Sequence, residues 1–460
     1  MQRELWYDTD DLRGETMNDK NLDMTKGNPL QLLIKFSLPL MAGNIFQQMY
    51  ILVDTAIVGN GVGVEALASI GAADWLNWLA LGTATGFTQG FSILIAQTFG
   101  AKDNSKLNLS IKTSVIIAGV LSLLLTAVAF IGMKPVLLLL KTPDEVMTGA
   151  IQYLSIIFGG IIITMMYNLF SAILRSLGNS KTPLVAMVIA SIINIVLDCL
   201  FVYVFHWGIM GAAIATMIAQ ASAMLYCLSF IRKLEVLTIH NEPFVLHKNL
   251  VTHLLKLGVP VALQNLIICL GGLVLQSIVN GYGVSFIAGY TASNKLYGLL
   301  EFAAISYGYA VATYVGQNLG AGKIDRIKLG MKKAIGLSTV TSIVVSTLMI
   351  AFGKNILGLF ISSSATNRVE VLTIAYTYLV IMALFLLALF MLYMYRSALQ
   401  GMGDTVIPMV SGIVELCMRI SIALLLTQFI GGTGIFFGEI AAWTGAFILL
   451  AIFYYKRCFT

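Results

Sequence analysis

The sequence predicts an all-α membrane protein: twelve transmembrane helices in two six-helix bundles, related by a pseudo-twofold axis along the membrane normal. Three observations predict it. The 460 residues are 58% hydrophobic and only 11% charged, with mean hydropathy +0.88, whereas a soluble protein carries about 25% charged residues. Twelve continuous apolar stretches are each long enough to cross a bilayer. The two halves of the chain also repeat one another.

The stretches run over residues 36–58, 67–98, 107–132, 148–173, 183–205, 209–231, 253–278, 284–317, 334–353, 371–395, 405–428 and 433–455. They are continuously apolar, so they are helices. An outer-membrane barrel would alternate over segments of about ten residues. The stretches 67–98 and 284–317 exceed the length of a single perpendicular crossing, and each is expected to be one long tilted helix. Residues 1–28 are polar and hold seven acidic side chains, the opposite of a basic-then-apolar signal peptide. They are expected to form a mobile cytoplasmic tail.

Loop charge sets the orientation. With the N-terminus inside, the inner loops and C-terminus hold seventeen Lys and Arg, Arg175 and Arg396 among them. The outer loops hold four: Lys134, Lys141, Lys354 and Arg368. This positive-inside asymmetry places both termini in the cytoplasm; the membrane expected is the plasma (inner) membrane.

Three blocks recur in the same order. "IAQTFGA" (95–101) matches "VGQNLGA" (315–321) at an offset of 220, and "LPLMAGN" (38–44) matches "VPVALQN" (259–265) at 221. "SAILRSLGNSKTP" (171–183) matches "RSALQGMGDTVIP" (396–408) at 225. Six spans per unit return the chain to its starting side, so the repeat is parallel. The division expected is a lobe over 29–235, a polar inter-lobe loop over 236–252 and a second lobe over 253–460. Two bundles with a cleft between them suit a carrier that works by rocking one half on the other.

Ionisable groups inside spans cost about 2.5–3.5 kcal/mol each on insertion scales, which marks them as functional candidates. Eight lie within spans or at their edges: Asp54, Asp74, Asp198, Lys295, Glu301, Glu415, Arg419 and Glu439. Glu415 and Arg419 are four apart on one helix and are expected to pair with each other. Glu439 is expected to snorkel to the outer water. Glu301 is deeper and has Tyr307 and Tyr309 nearby. Asp54 and Asp198 have no basic residue near them in sequence. Both fall at similar depth, toward the outer ends of their spans, and Asn194 shares a helix face with Asp198. Such oxygens suit a hard cation or a titratable proton. Asp54 falls on Val274 or Leu275 in the repeat, Asp198 on Ala423 and Asn194 on Arg419. The scaffold therefore does not require the acids, and a cation site belongs to one bundle.

Other classes find no support. The five cysteines are scattered singly, and three of the four histidines, His240, His247 and His253, sit in one polar loop without the i,i+4 spacing of a helical zinc pair. A net charge of +6 on this composition does not point to nucleic acid. No HExxH or GxSxG motif suggests an enzyme. The alternative carrier reading is a flippase for lipid-linked oligosaccharides or another small-metabolite exporter; a flippase would line its cleft with several Arg or Lys, and only Lys295 and Arg419 are expected within spans.

"QQMYILVDTAIVG" in the first span, "AQTFGA" and "GQNLGA" after the second and eighth, "LRSLGNSKTP" after the fourth and "NIVLDCLFVY" in the fifth together resemble the multidrug and toxic compound extrusion (MATE) family. The resemblance covers roughly residues 30–455. It implies a monomeric, cation-coupled antiporter with no cofactor, exporting organic cations or amphipathic compounds against Na⁺ or H⁺. It also implies a cation site, possible for Na⁺, at Asp54, Asn194, Asp198 and Thr216. One branch of the family carries a Glu early in the seventh span. "VPVALQNLIICL" has none, leaving Glu301, Glu415 and Arg419 as candidates for a substrate or gating role in the second lobe.

Overall fold

The computed structural model describes residues 22–234, 246–360 and 367–459. In the first lobe the helices are α1 (Pro29–Gly61), α2 (Val64–Gly100), α3 (Asn104–Leu139), α4 (Asp144–Gly159), α5 (Ile161–Ser176), α6 (Lys181–Cys199) and α7 (Gly208–Ile231). In the second they are α8 (Lys248–Asn280), α9 (Val284–Gly320), α10 (Ile324–Phe360), α11 (Arg368–Leu384), α12 (Leu386–Gly401), α13 (Val406–Ile430) and α14 (Thr433–Phe459). The tail over 1–21 and most of the inter-lobe loop, 235–245, lie outside the described residues.

Nine of these helices are long and apolar enough to cross a membrane, and two bent pairs raise the number to eleven. The twelfth span is α9. It is 37 residues long but less apolar, because Asn294, Lys295 and Glu301 lie on it. α2 and α9 are both single helices of 37 residues, as their long apolar stretches predict. Each begins after a glycine at positive φ, Gly63 at 117° and Gly283 at 86°, a backbone conformation that a Cβ disfavours.

The fourth and tenth spans are not continuous. α4 and α5 meet at 49°, and α11 and α12 at 51°. The breaks fall at Gly160 (φ −90°, ψ 3°) and Phe385 (φ −107°, ψ 10°). These two positions are related by the repeat offset of 225. One is glycine and the other phenylalanine, so tertiary fit, not residue type, makes the bend. Continuous hydrophobicity could not show it.

Residues within each lobe pack mainly on one another. The lobes meet through α2 on α8, α2 on α9 and α1 on α9. At the end that carries the basic loops they are shut. Gly100 and Gly320, ending α2 and α9, each touch the backbone of the other helix, at Gln317 and Gln97. Gln97 Nε2 donates to the Gly401 carbonyl at 3.0 Å, and Gln317 Nε2 donates to the Ser176 carbonyl at 2.8 Å. Gln97 and Gln317 are repeat mates, as are Ser176 and Gly401, so this closure obeys the pseudo-twofold.

A strap covers it. Residues 22–28, expected as the end of a mobile tail, are instead held between the lobes. The Leu22 N–H donates to the Gly178 carbonyl of the first lobe at 3.1 Å. The Met24 N–H donates to Gln317 Oε1 at 2.9 Å, and the Met24 carbonyl accepts from Asn318 at 3.0 Å. The Met24 side chain is fully buried. Polar composition hid this because the strap is bound mostly through its backbone.

A Cβ at position 100 would occupy the space of the Gln317 carbonyl. Gly100→Val is therefore expected to force the basic end apart. A cysteine placed at Thr313, just inside the closure, should then react several-fold faster with a membrane-impermeant maleimide applied to that end. An unchanged labelling rate would show that the glycine contact does not hold the lobes shut.

Candidate functional site

In the first lobe, α1 and α6 pack side by side. Beyond Cys199, α6 continues into a single π turn, Leu200–Val204, in which the Phe205 N–H donates to the Leu200 carbonyl at 2.9 Å. Such turns shift helix register and gather at functional sites. Tyr203 from this turn donates to the Ile57 carbonyl of α1 at 3.4 Å. That contact ties together the two helices bearing Asp54 and Asp198. Asp54 lies seven residues before the end of α1, about 10 Å along the axis.

The structure brings the two carboxyls into hydrogen-bonding reach of one another. Asp198 is fully buried and Asn194 is 1% exposed. Neither oxygen of Asp198, neither polar atom of the Asn194 side chain, nor Asp54 Oδ1 finds a hydrogen-bonding partner among the described residues. Ionised carboxylates offer only acceptors, so two in contact cannot satisfy each other. One shared proton, or one small cation, would. The Thr216 hydroxyl donates to the Ala212 carbonyl at 3.0 Å on its own helix α7. No group of three His, Cys, Asp or Glu side chains forms among the described residues. A transition-metal site is thus not what this cluster resembles, while two carboxylates with an amide oxygen match the ligand chemistry of a hard cation.

Two further residues lie within electrostatic reach of the pair. Tyr50 is one turn before Asp54 on α1, and Tyr153 on α4 lies within electrostatic reach of Asp54, Asp74 and Asp198. The i,i+4 spacing could have revealed Tyr50. Tyr153 comes from a helix about a hundred residues away, and only the tertiary fold delivers it.

The second lobe corrects three expectations. Glu415 and Arg419 do not pair with each other. Glu415 binds Arg396 of α12, and Arg419 binds Glu439 of α14 at 2.9 Å. Each long side chain reaches sideways to an opposite charge on a neighbouring helix, so the two pairs join α12, α13 and α14. Glu439 is accordingly held in this row and does not snorkel to water. Arg396 is not a loop residue: α12 runs on to Gly401, and Arg396 is 7% exposed. The row alternates in sign. Glu301 is the extra carboxylate beside it, accepting from the Tyr393 hydroxyl at 2.8 Å.

Between the lobes, two small adjoining cavities share Arg175 and Tyr309. α1 contributes Pro39, Gly43 and Asn44 to one of them. Asn44 Nδ2 also donates across to Ser306 Oγ of α9 at 3.3 Å. The helix that carries Asp54 therefore also lines the cleft.

The MatE family model matches residues 39–200 and 260–425, one block in each lobe. YpnP, a probable multidrug resistance protein of Bacillus subtilis, is 33% identical over 345 residues, covering 75% of this chain and 77% of its own length. NorM, a probable multidrug resistance protein of Thermotoga maritima, is 24% identical over 428 residues, covering 90% of this chain and 88% of its own. A MOP superfamily transporter from Pyrococcus furiosus has the same fold, with a TM-score of 0.88 at 22% identity, covering 95% of this chain and 98% of that one. With the family blocks, the relatives and the two-bundle fold in agreement, this chain belongs to the multidrug and toxic compound extrusion family of multi-pass membrane transporters.

Proposed function

We propose that the chain is a secondary antiporter that exports organic cations or amphipathic compounds in exchange for inward Na⁺ or H⁺. The observation that carries this reading is the contact, in one lobe only, between a half-buried Asp54 and a fully buried Asp198, with no donor to either Asp198 oxygen or to Asp54 Oδ1 among the described residues. Asp54, Asp198, Asn194 and Thr216 are the residues proposed to receive the coupling cation. The chain is taken as a plasma-membrane monomer with both termini cytoplasmic, and the shut basic end as the cytoplasmic side.

The coupling runs through α1. Arrival of a cation between the carboxyls removes their repulsion and draws α1 toward α6. The same helix carries Asn44 and its bond to Ser306, so its displacement changes the cleft wall. A ligand is released only if its affinity differs between the two arrangements, and moving a cleft-lining helix supplies that difference.

The test is efflux of a fluorescent organic cation from vesicles, with a Na⁺ gradient or a pH gradient imposed separately. One gradient is expected to drive efflux above the leak measured with neither. Efflux driven by neither gradient would overturn the reading.

A further inference from the structure

At the repeat offsets of 225 and 220, Arg175 falls on Gln400 and Tyr309 on Gln89. All four side chains line one of the two small cavities between the lobes, which therefore sits on the pseudo-twofold axis, directly above the closed end. On one side of the axis the lining holds two neutral amides, Gln89 and Gln400, the latter donating from Nε2 to Gln264 Oε1 at 3.2 Å. On the other, the Arg175 guanidinium of α5 lies over the Tyr309 ring of α9, 4.6 Å from its centroid. The repeat-related positions carry neither a charge nor a ring, so the repeated scaffold does not demand them.

Arg175 is the sole charged residue lining either inter-lobe cavity among the described residues. No carboxylate pairs with it there. It is half-buried, so its N–H groups are open to the cavity. The other buried arginines, Arg396 and Arg419, are neutralised by Glu415 and Glu439. A guanidinium resting on an aromatic face keeps its planar fork of donors available for an oxyanion. The Gln89 amide adds a neutral hydrogen-bonding group to the same lining.

We propose that Arg175 and Tyr309 form a subsite for a carboxylate carried on an aromatic amphiphile, the carboxylate on the guanidinium fork and the ring system along Tyr309 and the apolar wall. This names a substrate class for the exporter proposed above and rests on that reading. It places in the cleft a recognition charge opposite in sign to the one a simple organic cation would want.

The test is binding of two dyes to the purified protein by fluorescence anisotropy. Rhodamine B has a free carboxylate, and its ethyl ester has the same cationic ring frame without it. The wild type is expected to bind the acid about tenfold or more tightly than the ester, as hydrogen bonds to a charged group imply. Arg175→Gln, which restores the residue type of its repeat mate, is expected to bring the ratio to near one. Arg175→Lys should keep part of it, a charge without the fork. Equal affinities in the wild type, or an unchanged ratio in Arg175→Gln, overturn the proposal. If Arg175→Gln does not fold, Tyr309→Gln serves instead, removing the platform, and an unchanged ratio there overturns it equally. The ratio is read without any gradient, so failure of the export reading shows separately, as absent gradient-driven efflux of the ester by the wild type.

Discussion

Asp198→Asn abolishes coupled efflux while leaving a folded protein in the membrane: this is the largest effect expected of any single substitution in the first lobe. The change removes the second carboxylate of a contact in which both partners are acceptors. The introduced amide can donate to Asp54, so an unsatisfied pair becomes a donor–acceptor pair, a gain of about 1 kcal/mol. Stability is therefore expected to be equal to or above that of the wild type. Coupling is a difference in cation affinity between two states, and coupling energies of about 1–3 kcal/mol correspond to about 5–150-fold. Loss of the shared site should reduce gradient-driven efflux by about 100-fold, at the upper end of that range. Asp54→Asn should do the same. Melting temperature in detergent gives the second readout. A cation that binds only the folded state raises it in proportion to occupancy, so the coupling ion should stabilise the wild type and neither variant. Normal driven efflux by both variants would falsify the assignment of the site.

The largest expected effect on stability lies in the other lobe. Arg396→Met strands Glu415, which is 3% exposed. Removing one partner of a buried ion pair costs about 3–5 kcal/mol, because an uncompensated charge stays behind. Arg396 also approaches Ser411 Oγ at 3.4 Å and lies over the Tyr393 ring, whose hydroxyl holds Glu301. The loss is thus expected at the upper end of that range. Arg396→Met combined with Glu415→Leu should recover at least half of it, since replacing both charges by apolar groups of similar volume is often neutral or stabilising. Thermal unfolding of the two variants in detergent checks this. Equal destabilisation of the single and double variants would show that the pair's charge complementarity is not what holds α12 to α13.

The sequence by itself determined the class of this protein. Apolar length fixed the spans, because a bilayer core sets how many residues a helix needs. Three matched blocks fixed the parallel repeat, and the asymmetry of charge between the halves singled out Asp54, Asn194 and Asp198. These conclusions depend on composition and spacing along one chain. The tertiary structure decided what depends on neighbours from distant helices. It bent the fourth and tenth spans at repeat-related positions where one residue is Gly160 and the other Phe385. It turned Glu415 and Arg419 away from each other toward Arg396 and Glu439, because a long side chain on a packed helix reaches across as readily as along. It bound the strap through backbone groups that no side-chain pattern reports, brought Tyr153 within electrostatic reach of the carboxyls, and placed Arg175 over Tyr309 on the axis of the repeat. Helical periodicity tells which residues share a face; only the assembled bundle says what that face meets.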